Sequence, residues 1–303
     1  MPELPDVALY VEHLTRRLAG RPLERVRVAS PFLLRTVAPP LSSVEGRTIR
    51  GFRRLGKRVV FELDGGPFLV VHLMVAGRFH WKDASRAPVP KKVGLAAFDV
   101  PGATLLLTEA SPKKRAALHV VATEEELAAL SRGGIEPLEA DLASFAATLR
   151  SESHTVKRAL TDPRLFSGIG NAYSDEILHA ARMSPFALTR KLDDDEVSRL
   201  RDATRATLFT WLDRLRVEAG DRFPEKVTAF RPDFAVHGRC GKPCPACGDP
   251  VQRLVYADNE ANYCATCQTG GRLLADRALS RLLKDDWPRT LEELEETKAA
   301  RRE

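Results

Sequence analysis

The sequence predicts an α+β protein in which a leading helix and an antiparallel β-sandwich or barrel precede a helical half and a small four-cysteine hairpin. Three observations carry this reading. Strand-length apolar runs broken by Gly, Pro and Asp fill roughly residues 25–121, acidic helix-opening clusters recur from residue 123 onward, and two Cys-x-x-Cys pairs lie near the C-terminus. At 303 residues the chain exceeds one small core and fits two medium domains with an appended module.

The leading helix follows Asp6, read as its N-cap. Val7, Tyr10, Val11, Leu14 and Leu18 form one stripe, Arg16 and Arg17 lie off it, and Gly20 closes it. The runs Arg58-Val-Val-Phe-Glu-Leu, Phe68-Leu-Val-Val-His-Leu and Ala103-Thr-Leu-Leu-Leu read as strands. Thr123-Glu-Glu-Glu opens one helical segment and Asp193-Asp-Asp-Glu another, which carries Val197, Leu200, Leu208, Trp211, Leu212 and Leu215 and ends at Gly220. Val251 to Tyr256 and Asn262-Tyr263 have strand character, with Asp258-Asn259-Glu260 as the turn between them. Leu273, Leu274, Leu279, Leu282 and Leu283 suggest a last short helix. These changes of pattern give a β-rich domain at 1–122, a helical domain at 123–238, a cysteine module at 239–271 and a charged tail at 272–303.

Composition narrows the functional classes. The formal charge of +6, from 47 basic and 41 acidic residues, permits a polyanionic partner without requiring one. No run approaches the roughly 18–20 apolar residues of a membrane span, and Met1-Pro-Glu-Leu-Pro-Asp6 lacks the basic-then-apolar pattern of a signal peptide. A cytoplasmic protein is expected, since four of the five cysteines are grouped as metal ligands and not as a disulfide framework.

Cys244-Pro-Ala-Cys247 and Cys264-Ala-Thr-Cys267 are separated by sixteen residues, a spacing that places four thiolates around one structural zinc at the base of a hairpin. A redox dithiol or an iron site is the alternative, and Cys240 is read as a spare thiol. A second signal is Pro2. Loss of the initiator Met exposes a secondary amine with an ordinary pKa near 8, hence an appreciable neutral fraction at pH 7. Such an amine attacking a sugar C1′ gives a cationic iminium, an electron sink for eliminating the 3′-phosphate, and Glu3 stands next to it to exchange protons. The plainer reading of Met-Pro-Glu is an ordinary chain start. Gly168-Ile-Gly-Asn171 lets backbone approach a phosphate at the N-terminus of the helix Ala172–Ala181, with Asn171 as N-cap, phosphate ligand, or both; a plain interhelix turn is the alternative. Lys157 and Arg158 either add phosphate contacts or form a solvated face.

Met1-Pro-Glu-Leu-Pro-Asp6, Leu55-Gly-Lys-Arg-Val-Val-Phe61, His72-Leu-Met-Val-Ala-Gly-Arg78, the run Phe166 to Leu178 and the cysteine hairpin occur in an order that resembles the formamidopyrimidine-DNA glycosylase and endonuclease VIII family, from residue 2 to about 268. The resemblance implies a β-sandwich followed by a helix–two-turn–helix domain and zinc finger, with damaged or abasic DNA bound between them by a bacterial, monomeric repair enzyme. It implies Pro2 as Schiff-base nucleophile, Glu3 as general acid, Lys57 as a phosphate contact beside the lesion, and His72 near the DNA backbone, where a strand-capping histidine is the alternative. An architecture that binds damage without excising it is the rival reading. A zinc-ribbon module with no DNA role is a second.

The sequence departs from the family at the residues that fill the gap left by a flipped base. Val75 stands where a methionine is usual, with Met74 one place early. Ser111-Pro-Lys-Lys-Arg-Ala116 replaces Asp-Pro-Arg-Arg-Phe-Gly, so that Lys113 and Arg115 become the void-filling residues. Asn259 takes the place of an arginine expected to grip phosphate. Weak activity on 8-oxoguanine paired with cytosine is expected, with preference for lesions already unpaired; the alternative is that Met74, Arg78, Lys114 and Arg115 substitute by a small backbone shift.

Overall fold

The computed structural model describes residues 1–228, 230–256, 259–275 and 288–300. The chain divides into two compact units, Met1–Gly134 with Phe209–Ala229, and Ile135–Leu208 with Phe230–Glu303. The sequence boundaries at 122 and 238 fall elsewhere, because the end of the long helix and the segment after it pack with the first unit. Leu212 and Leu215 meet Leu9, Val227 enters the sandwich core, and Phe223 lies partly buried against it.

The first unit opens with α1 (Leu4–Leu18), whose Tyr10, Leu14 and Leu18 are buried as the stripe predicts. Its start corrects the expectation for Asp6. Pro5 is preset for the first helical turn, so the helix begins at Leu4 with Glu3 as N-cap. Asp6 lies inside, its Oδ2 accepting the Glu3 N–H at 2.9 Å.

Eight strands follow in two antiparallel sheets. One has the order β1 (Arg25–Val28), β6 (Gly94–Val100), β7 (Ala103–Glu109), β5 (Gly77–Lys82), and the other β2 (Ile49–Leu55), β3 (Arg58–Leu63), β4 (Phe68–His72), β8 (Ala117–Val121). They face each other as a sandwich: Phe61 of one sheet meets Phe98 of the other with ring centroids 5.3 Å apart. The unbroken apolar runs in β3 and β4 have a physical cause. Val59, Phe61, Leu69 and Val71 face the inter-sheet core, whereas Val60 and Val70 pack outward on Leu127 of α2 (Glu124–Ala129). Thr123 caps α2 by accepting the Glu126 N–H, as its sequence position predicts.

The second unit contains α3 (Leu142–Ser151), α4 (Val156–Thr161), α5 (Asn171–Ala180) and the first part of α6 (Asp194–Ala219). Asp193 and Glu196 cap α6 reciprocally, each carboxylate accepting the other's backbone N–H at 2.7 and 3.1 Å. Beyond these lies the hairpin β9 (Gln252–Tyr256) and β10 (Asn259–Tyr263), then α7 (Ala265–Thr269). Asn259 and Glu260 are strand residues paired with Tyr256 and Val255, not turn residues. In the tail, Leu273 and Leu274 are not helical and Leu279, Leu282 and Leu283 lie outside the described residues. The described tail helix is α8 (Leu291–Ala300), whose Leu291 and Leu294 pack with Leu254, Tyr263, Leu273 and Phe186.

Among the described residues no helix is long and apolar enough to cross a membrane.

Candidate active site and metal centre

The chain terminus is drawn into the first unit. Helix α1 holds Pro2 and Glu3 buried, and the terminal amine, here on Met1, feels Glu3, Arg78, Asp6 and Lys57. Burial is the main cause that lowers its pKa below the usual value. Arg78 and Lys57 lower it further, while Glu3 and Asp6 oppose them. Lys57, on the turn between β2 and β3, is likewise lowered by burial, with Glu3 as the opposing charge. The terminus, Glu3 and Lys57 thus act on one another electrostatically, with Arg78 added. An amine of lowered basicity beside Glu3 is the kind of group that can act as a nucleophile with a proton-exchanging neighbour.

His72 ends β4 opposite Arg58 of β3 and Ala117 of β8. Burial, then Arg58, Lys57 and His119, push it down to about 4, so it is neutral at pH 7. The unfolded chain protonates this histidine near its ordinary 6.5, whereas the folded chain does so only near 4. Stability contributed by neutral His72 should therefore be present above pH 6.5, fall as pH drops towards 4, and level off below. Its loss is on the order of 3 kcal/mol. Chemical denaturation across that window should show a flatter profile for His72→Asn.

After β4 the chain turns sharply. A Cβ on Gly77 would stand 2.2 Å from the Leu73 carbonyl oxygen, so only glycine fits. The turn presents Val75, 58% exposed, with Met74 behind it at φ +52°. Arg78 Nη1 donates to the carbonyls of Gly77 and Val75 at 2.6 and 3.3 Å. In the 111–116 loop, Lys113 and Arg115 are exposed. Lys114 is folded back, donating to the carbonyls of Glu109 and Lys92 at 2.9 and 3.1 Å. Glu109, buried and overlooked in the sequence, shapes this loop by accepting the N–H groups of Arg115 and Ala116 at 2.8 and 3.0 Å.

In the second unit, Gly168 has φ +81° and Gly170 is the N-cap of α5. Asn171 is consequently the first helical residue and not the cap. Its carbonyl accepts from Ser174 Oγ at 3.0 Å and from Lys157 Nζ at 3.2 Å. Lys157 is neither a solvated nor a phosphate-facing cation: it is 2% exposed and ion-paired with fully buried Asp175. Arg158 is exposed. Asp175 also accepts from His237 Nδ1 at 2.8 Å and Asn262 Nδ2 at 3.0 Å, and Glu176 accepts the N–H groups of Ala235, Val236 and His237. Spacing alone gave no sign of this network; its only trace is two adjacent acids in the middle of the helix.

The four cysteines converge as predicted, all Sγ atoms lying within 4.8 Å of one another. Cys247 and Cys264 are 3.4 Å apart and Cys244 and Cys267 3.9 Å, close to the roughly 3.8 Å between thiolates in a tetrahedral zinc site. Burial pushes the Cys264 thiol up, and Cys267 up to about 11, whereas backbone N–H groups of Ala246 and Cys247 help to lower Cys244, so a bound cation is what would hold Cys264 and Cys267 as thiolates. The residues fit zinc. Cys240 is exposed and outside the cluster. Elemental analysis is expected to give one zinc per chain, retained in Cys240→Ser and lost in Cys264→Ser. Retention by the latter would refute the ligand set. Asn259 begins β10, and its side chain lies outside the described residues.

An N-terminal amine poised in a β-sandwich and a tetrathiolate zinc hairpin beside a helical unit define a zinc-finger protein with a candidate terminal nucleophile. The chain matches the formamidopyrimidine-DNA glycosylase N-terminal domain over 1–116, the H2TH domain of that enzyme over 134–215, and the zinc finger found in FPG and IleRS over 241–270. It is 36% identical over 279 residues to a formamidopyrimidine-DNA glycosylase of Thermus thermophilus, spanning 89% of this chain and 100% of the relative. The crystal structure of the MutM (Fpg) protein of that organism superposes with a TM-score of 0.74 at 35% identity, covering 88% and 98% of the two chains. The complex of Lactococcus lactis Fpg with abasic-site DNA shares the fold, with a TM-score of 0.78 at 23% identity over 88% and 99%. The chain belongs to the formamidopyrimidine-DNA glycosylase family. Residues 271–303 extend beyond all three matched domains.

Proposed function

We propose that this chain is a bifunctional DNA glycosylase and abasic-site lyase of base excision repair, acting in the cytoplasm on nucleoid DNA through a Schiff base on Pro2. The observation that carries the reading is the buried chain terminus, lowered in basicity and set against Glu3 and Lys57. The Pro2 nitrogen attacks C1′ of the damaged nucleotide, the glycosidic bond breaks, and the base leaves with a proton. Ring opening, with Glu3 donating to the ribose oxygen, yields an iminium. Loss of a C2′ proton then expels the 3′-phosphate, and water releases the enzyme. Lys57 and neutral His72 contact phosphate on the first unit. On the second, Asn171 and the amides of the Gly168–Asn171 turn do so, while Asn259 supplies a weaker contact than an arginine would.

Base selection follows from what fills the helix when the nucleotide leaves it. A β-branched Val75 and the exposed cations Lys113 and Arg115 wedge an intact stack less well than a methionine and a phenylalanine. Losing one charged phosphate contact at Asn259 costs a further 1–3 kcal/mol or so, about ten- to hundredfold. Single-turnover excision is expected to run at least tenfold faster on unpaired or single-stranded lesions than on 8-oxoguanine·cytosine duplex. Equal rates would refute this selection, and no excision from any lesion, with binding intact, would make the chain a damage binder.

A further inference from the structure

Helix α5 carries Asn171, Asp175 and His179 at intervals of four, one stripe along a single face. Each end of that stripe has a different task. Asn171 lies in the turn assigned above to phosphate. At the other end His179 Nε2 stands 3.2 Å from the Sγ of the zinc ligand Cys244. Between them Asp175 accepts from Asn262, two residues before Cys264, and from His237, while Glu176 gathers the three amides of the segment leading into the cysteine module. Gln268 adds a bond from its Nε2 to the Met183 carbonyl at 2.9 Å and accepts the Cys264 N–H at 2.9 Å.

The apolar core of the module is small and includes its own ligands, Cys244, Cys264 and Cys267, beside Val236 and Val251. The hairpin also packs through Leu254 and Tyr263 on Phe186, and around the cysteines polar contacts add to the seating on α5. Four thiolates on a divalent zinc leave a net charge of −2, concentrated on sulfur. A ligated thiolate has no proton to give, so the 3.2 Å contact requires Nε2–H to donate.

We propose that His179 is an outer-sphere partner of the zinc, donating Nε2–H to the Cys244 thiolate, and that through α5 the metal positions the Gly168–Asn171 turn. The metal part rests on the zinc assignment and the positioning part on the phosphate reading of that turn, and the measurements separate the two. His179→Met fills similar space and cannot donate; His179→Gln keeps an N–H near the same place. With zinc-loaded full-length protein, transfer of zinc to a chromogenic chelator should be roughly 10–100 times faster for His179→Met and near the parent rate for His179→Gln. Hydrogen exchange at residues 168–172 should accelerate in the methionine variant only. Unchanged zinc release in both variants would overturn the proposal. Faster release with unchanged exchange at 168–172 would overturn the positioning. A parent protein that takes up no zinc would instead sink the metal assignment. If the methionine variant does not fold, the imidazole tautomer in the zinc-loaded parent decides by long-range proton–nitrogen correlation. Protonated Nε2 is expected, and a bare Nε2 would refute the hydrogen bond.

Discussion

Appending one residue before Pro2, or retaining Met1, is expected to lower strand cleavage at an abasic site by at least about a thousandfold, some 4 kcal/mol of barrier. The Pro2 amine becomes an amide, its lone pair is delocalised, and no iminium can form on that nitrogen. The effect is on chemistry and not on folding. With Met1 in place α1 still runs from Leu4 to Leu18 with Glu3 at its cap, and Pro2 stays buried. Binding to abasic-analogue duplex should persist, with an affinity that falls as salt rises. Pro2→Gly should sit between the two, because a primary amine can still condense but lacks the ring that orients it. Gel-based cleavage under single-turnover conditions, paired with electrophoretic shift, separates loss of reaction from loss of binding.

Lys157→Ala should cost about 3–5 kcal/mol of stability, the range for stripping one partner from a buried ion pair. Asp175, fully buried, would keep only His237 and Asn262 as donors, and the Asn171 carbonyl would lose the ammonium that holds it. Lys157→Met should be milder, since it fills the space without the charge. Denaturant unfolding reads the loss directly. A different outcome, with stability unchanged and the salt slope of DNA binding reduced by about one, would return Lys157 to the phosphate-contacting role that its burial argues against.

These two residues mark where sequence was and was not sufficient. The nearness of the chain terminus, Glu3 and Lys57 was legible because they are close in sequence or carried by a specific motif, and the fold needs only one helix and one hairpin turn to assemble them. The sandwich was legible because strands between Gly and Pro turns bury alternate side chains, and the thiolate cluster because Cys-x-x-Cys spacing is itself geometric. Lys157 was not, since a lysine beside an arginine on a short helix looks the same whether its ammonium faces water or a buried aspartate 18 residues on. The same holds for Glu109, whose task is to bind amides six and seven residues later, and for His179, whose partner lies 65 residues away. Asp6 and Asn171 were misplaced by a residue or more at helix starts for a local reason. Pro5 begins α1 early, and Gly170 takes the extended cap conformation that leaves Asn171 inside.

The claim on which the account turns is that the chain terminus is the nucleophile. Borohydride reduction during turnover of abasic-site DNA converts an iminium to a stable amine, and proteolysis with mass spectrometry locates the adduct. Nucleotide-derived mass is expected on the N-terminal peptide beginning at Pro2, and on no other. An adduct on the peptide containing Lys57, or trapping that survives a blocked N-terminus, would contradict it.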